Sequence, residues 1–194
     1  KKHSGYILGD VPPSHRGKTI LESSAEEARK MGIQYIGTEH LLLGLMREEG
    51  GIAGRVLREL GLEFDRVQKM IEKLVGLGDF TTQRPTLSPG TQKVLELAVE
   101  QARELGHHYI GVEHLLLGII ELGEGIAIDA LSQLGVTPEQ VRRQTHRVLK
   151  ENKSTQRSER QQRRERAKQA EGKGKGKGKS KSKTPLVDQL ATDL

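Results

Sequence analysis

At 194 residues, the chain accommodates one compact domain or two small ones and excludes a large enzyme. No Cys, no Trp and 3% aromatic residues leave Leu, Ile, Val and Ala to build the core, without disulfides or thiolate metal sites. The net charge of +6, which on its face suggests a nucleic-acid binder, is unevenly placed: residues 151–183 hold 13 Lys or Arg and 4 Glu, whereas residues 1–150 carry 19 basic and 20 acidic groups.

In chain order, Lys1 to Pro13, with Gly5, Gly9 and Pro12-Pro13, reads as a disordered leader. A first helical unit occupies 14–76. Its inward positions are Ala25 and Ala28, an apolar helix from Leu41 to Met46, then Val56, Leu57 and Leu60, and finally Val67, Ile71 and Leu74. A polar, proline-containing connection covers 77–87. The second unit, 88–150, starts with Ser88 as N-cap and Pro89 at the first helical position, followed by Val94, Leu95, Ala98, Ala102 and Leu105 at helical spacing up to Gly106. Leu115 to Leu122 is almost wholly apolar and predicts a buried central helix. A third helix follows from about Gly125 to Leu134. Thr137-Pro138-Glu139-Gln140 then caps a fourth, with Val141 and Val148 inward. No strand pattern stands out.

The two units are copies. Laying Met31 to Gly61 over Leu105 to Gly135, an offset of 74 residues, gives 16 identities in 31 positions. The expected fold is therefore all-α: two tandem repeats of about four helices each, related by a pseudo-twofold. From Asn152 to Thr184 there is no Leu, Ile, Val, Phe, Tyr or Trp, and Gly172 to Lys183 alternates Lys with Gly and Ser. Composition reads 151–183 as a disordered, flexible basic linker with an r.m.s. reach of roughly 30 Å. Phosphate neutralisation by this tail is the rival reading, but no aromatic side chain is present to stack bases.

The segments Tyr-Ile-Gly-Thr-Glu-His-Leu-Leu-Leu-Gly-Leu at 35–45 and Tyr-Ile-Gly-Val-Glu-His-Leu-Leu-Leu-Gly-Ile at 109–119 resemble the Clp repeat of the N-terminal domain of ClpC-like AAA+ unfoldases. The likeness covers about Arg16 to Lys150. Residues 184–194 resemble the stretch leading into the first ATPase domain of such proteins, so a longer parent is expected. The resemblance implies a non-catalytic substrate and adaptor recognition domain, monomeric when isolated, on a hexameric cytoplasmic or plastid-stromal unfoldase. Such a domain delivers clients for unfolding and, through a Clp peptidase, proteolysis. It also leaves open a freestanding Clp-repeat adaptor. ATP and magnesium are expected only in ATPase domains beyond this chain: Gly178-Lys179-Ser180 ends like a P-loop, but Lys173 stands where its first glycine belongs. Neither a membrane helix nor a nucleic-acid partner is expected.

Glu39 and Glu113 open the most apolar helix of each copy, where a carboxylate is stabilised by the helix dipole with or without a ligand. The resemblance further implies a phosphoarginine pocket in each repeat, the glutamate holding the guanidinium and the start of the repeat's first helix holding the phosphate. Carried over by position, this pairs Glu39 with Ser14 and Glu113 with Ser88. Gly17 and Gly90 depart from the family pattern and weaken the first turns by up to about 1 kcal/mol each. The pocket around Glu113 is expected to keep the better chemistry. His40, His107, His108 and His114 lack a His-x3-His spacing; His40 and His114 read as hydrogen-bonding groups at helix starts, and no metal is expected.

Overall fold

Glycine and capping residues divide the chain much as the sequence dictates. The structure, a computed structural model, describes residues 11–180 apart from 49, 82 and 83, and for 171–180 the backbone alone. Residues 1–10 of the expected leader and the segment 184–194 lie outside the described residues. The helices of the first repeat are α1 (His15–Lys30), α2 (Thr38–Arg47), α3 (Ile52–Glu59) and α4 (Phe64–Val75). Those of the second are α5 (Pro89–Glu104), α6 (Val112–Leu122), α7 (Ile126–Gln133) and α8 (Pro138–Ser180). Ser14 and Ser88 cap α1 and α5, accepting from the amides of Gly17 at 3.0 Å and Thr91 at 3.2 Å. Thr137 and Gln140 form the reciprocal capping box at the start of α8.

The described residues form two compact units that meet between Leu149 and Lys150 in the sequence. Within the first, α1 packs on α2 and α5 on α6, so each repeat is centred on its apolar helix. Both crossings are close. A Cβ on Gly44 would lie 2.5 Å from Ser24 Oγ and 2.9 Å from the Ile20 carbonyl, and one on Gly118 would lie 2.7 Å from the Val94 carbonyl. Contacts of α4 and α2 with α7, and of α3 with α6, join the copies around one core in which Leu41, Leu42, Leu43, Leu116 and Ile119 are fully buried. A repeat this small buries too little apolar surface alone, and sharing a core offsets the deficit.

Two expectations need correction. First, the leader is not unstructured to residue 13, because Val11 belongs to the core and Pro13 bridges Ile110 in parallel. Second, the basic segment from 151 does not lack regular structure: α8 continues to Ser180. Arg, Gln, Glu, Lys and Ala fill 156–171 almost completely and are strong helix formers. Helix growth there starts from a turn already nucleated at Pro138, so burial is not needed to begin it. The thirty residues 151–180 then span roughly 45 Å as helix. Nothing in helix propensity explains its passage through the alternating glycines.

A pair of very short strands, β1 (Tyr35–Ile36) and β2 (Thr86–Leu87), also escapes the sequence pattern. They pair in parallel, Tyr35 with Thr86 and Ile36 with Leu87. The Pro13–Ile110 bridge is their counterpart at the repeat-related position. Each joins the entry to one repeat's first helix to the entry to the other repeat's second helix.

Candidate functional site

The crossed pairing decides which side chains meet. The Ser88 amide donates to the Ile36 carbonyl at 3.0 Å, which sets the N-terminus of α5 beside that of α2. A cleft of about 310 Å³ results, lined by Tyr35, Gly37, Thr38 and Glu39 from the first repeat and by Ser88, Gly90, Leu122, Glu124, Gly125 and Ile126 from the second. Glu39 thus shares a cleft with Ser88, not with Ser14. The other half is exchanged too: the Ser14 amide donates to the Ile110 carbonyl at 2.9 Å, placing the start of α1 next to Gly111 and Glu113. The pairing within each repeat expected from the sequence is corrected to a pairing between repeats, because the strands that align the helix starts run from one copy to the other.

The glycine at 17, which looks like a helix weakness, acquires a reason here. A Cβ on Gly17 would sit 2.7 Å from the Ile110 carbonyl, so the crossing requires glycine. At α5, Pro89 has no amide hydrogen, the Thr91 amide donates to Ser88 Oγ and the Gln92 amide to the Ser88 carbonyl. The Gly90 amide is the first-turn donor left for a ligand. Gly90 itself faces Thr38, whose Cγ2 lies 3.7 Å from where a Cβ would be.

Glu39 is 3% exposed, and its carboxylate folds back over Gly37, where a Cβ would come within 2.3 Å of Oε2. Burial pushes its pKa up, against a smaller opposing pull from its own backbone amide. Thr38 Oγ1 accepts from the Ala127 amide of the other repeat at 3.3 Å. The cleft therefore combines a desolvated carboxylate, a second carboxylate in Glu124, a hydroxyl and a helix N-terminus, with no cation in its lining. Such a surface suits a ligand carrying positive charge at one end and negative at the other.

Both histidines act as the sequence suggests. Gly37 N–H donates to His40 Nδ1 at 2.9 Å, and Gly111 N–H donates to His114 Nδ1 at 2.8 Å. Each imidazole therefore carries its proton on Nε2. In the second repeat that proton reaches His107 Nδ1 at 2.7 Å. In the first, Ile33 occupies the position matching His107, and His40 Nε2 is buried without a partner among the described residues. Burial lowers the pKa of His40 to about 4. Burial also lowers that of His114, against the pull of Glu113 and with a further push down from His107.

His107, Glu113 and His114, among the residues weighed from the sequence as a metal set and set aside for want of a His-x3-His spacing, bring one ligand atom each within 4.8 Å of one another. The group does not fit a metal ion. A metal on His114 Nε2 would move the proton to Nδ1, where it would face the Gly111 N–H, whereas ligating histidines donate from their second nitrogen to an acceptor.

The crossed helix starts define a duplicated helical domain with a cleft formed between its two repeats. The family model for the Clp repeat (R) N-terminal domain matches residues 13–124 and again 86–171, and the chain belongs to that family. Over 141 residues it is 46% identical to the chaperone protein ClpB of Oceanobacillus iheyensis and 43% identical to the negative regulator of genetic competence ClpC/MecB of Bacillus subtilis. Each match covers 73% of this chain and 17% of the relative, so the chain spans about a sixth of the length of these proteins. The crystal structure of the N-terminal domain of ClpD from Arabidopsis thaliana superposes with a TM-score of 0.58 at 25% identity, covering 71% of this chain and 96% of that one.

Proposed function

We propose that this chain is the client- and adaptor-recognition domain of a ClpC-like ATP-dependent unfoldase, and that it captures proteins marked with phosphoarginine for unfolding and proteolysis by a Clp peptidase. The observation that carries the reading is the single cleft in which Glu39 of one repeat faces the α5 start of the other. The guanidinium lies against the Glu39 carboxylate, and the phosphate is held by the Gly90 amide and by the Ser88 hydroxyl, which turns its proton from Thr91 Oγ1 to the ligand. Glu113 with Ser14 forms the second site of the same kind.

Isothermal titration of the full chain with free phosphoarginine tests this. Glu39→Gln is expected to weaken the first site at least tenfold and Ser88→Ala several-fold. Combined, they are expected to be non-additive, as groups on one ligand are, whereas Glu113→Gln with Ser88→Ala adds independently. Unchanged affinity in Glu39→Gln sinks the phosphoarginine assignment. Coupling between Ser88 and Glu113 instead of Glu39 sinks the crossed pairing.

A further inference from the structure

A flexible tether would scatter its cations, but a helix aligns them. At about 100° per residue, Lys150, Lys153, Arg157, Arg160, Arg164 and Lys168 of α8 fall within a sector roughly 80° wide. No other residue between 150 and 170 falls inside that sector. Glu151 and Glu159 lie well outside it, and Glu165 borders it beside Lys168. All six cations are exposed. They follow one another at intervals of three or four residues, along roughly 27 Å of helix axis.

Like charges at these intervals oppose helix formation. Between Lys150 and Arg164 no acidic residue is interleaved along that face to support the helix; Glu165 and Glu171 neighbour the row only at Lys168. The row is relieved by a ligand that is itself a line of negative charge.

We propose that this face of α8 binds the phosphate backbone of duplex nucleic acid without sequence preference. Duplex DNA carries one negative charge per about 1.7 Å of axis with both strands counted, against one cation per roughly 5 Å in this row, so phosphates are available along its whole length. A folded protein partner fits less well, because protein interfaces draw their affinity from buried aromatic and apolar anchors. From Asn152 to Thr184 there is no Leu, Ile, Val, Phe, Tyr or Trp. The same lack removes the stacking platforms that single strands use and the apolar face that inserts into lipid.

The test is fluorescence anisotropy of a labelled 20-base-pair DNA duplex with the full chain, titrated at several salt concentrations. Six phosphate contacts predict a slope of log affinity against log salt near about −5. Arg160→Gln with Arg164→Gln should bring the slope to about −3.5 and cost on the order of 50-fold in affinity at 0.1 M salt. Arg163→Gln with Arg166→Gln removes the same charge from outside the sector and should leave the slope near its starting value. Circular dichroism checks that both variants keep their helix. Equal losses in the two variants overturn the stripe. Failure of the parent to bind the duplex overturns the nucleic-acid assignment, as does binding only to phosphatidylserine vesicles or to polyglutamate. None of these outcomes depends on phosphoarginine binding.

Discussion

Acidification should charge His40 against its burial and against the donor it faces, with Glu39 Oε1, 3.8 Å from Nδ1, as an opposing attraction. The ring is fully buried, Gly37 N–H points at Nδ1 from 2.9 Å, and Nε2 has no partner among the described residues. A second proton would have to sit on Nδ1, facing another donor. With the pKa taken from its ordinary 6.5 to about 4, the folded state resists protonation while the unfolded chain accepts it. The stabilisation from neutral His40 is therefore complete above pH 6.5 and is lost as pH falls towards 4. At 1.36 kcal/mol per pH unit, the loss reaches about 2.5 kcal/mol by pH 4.5. Urea denaturation followed by far-ultraviolet circular dichroism at pH 7.5, 6.0, 5.0 and 4.5 measures it. The comparison is His40→Gln, since glutamine at this position of a capping box also reaches back to the N-cap amide but does not titrate. Its absolute stability will differ; its pH dependence should be flatter by about 2.5 kcal/mol across the range. His114 remains in both proteins and cancels in the difference. Parallel curves for the two proteins, or an NMR titration midpoint of His40 near 6.5, would refute the reasoning.

Gly37→Ala should expel the Glu39 carboxylate, since its Cβ would lie within 2.3 Å of Oε2. Because φ at Gly37 is −87°, alanine fits the backbone, so titration calorimetry should show at least a tenfold loss of phosphoarginine affinity with little change in Tm. Gly118→Ala should instead act on the fold: its Cβ would meet the Val94 carbonyl at 2.7 Å and push α6 from α5, destabilising by about 2 kcal/mol in chemical denaturation. Glu39 titrates in the sense opposite to His40. With its pKa raised, its contribution to folding is present at low pH and lost as pH rises through the folded value, while binding of a guanidinium requires the ionised form. Phosphoarginine affinity should accordingly weaken as pH falls through that raised value, and a pH series of calorimetric titrations reads this directly.

The helices were legible because each is long enough to show its period and is punctuated by residues with few alternatives. Ser88-Pro89 starts α5, and Gly106 and Gly135, with φ of +69° and +81°, follow the ends of α5 and α7. The partnership between repeats was not legible. β1 and β2 have two residues each, too short for an alternation to register, yet they decide that Ser88 meets Glu39. Likewise, Gly17 reads as a poor helix former until the approach of the Ile110 carbonyl is known. The basic segment misled for a different reason: lack of apolar residues argues against a core, but not against a helix extended from one already formed.

The exchange of helix starts has a consequence for how such a chain can be cut, copied or inherited. Neither repeat alone brings these groups together, because Glu39 and the helix start at Ser88, like Glu113 and the helix start at Ser14, belong to different copies. A lone repeat would recover both halves only by associating with a second molecule of itself, as an isologous dimer does, and would then present two identical clefts. Fusing the copies into one polypeptide makes the association permanent and frees the clefts to differ. Ile33 against His107 and Thr38 against Val112 are differences that a symmetric dimer could not have kept.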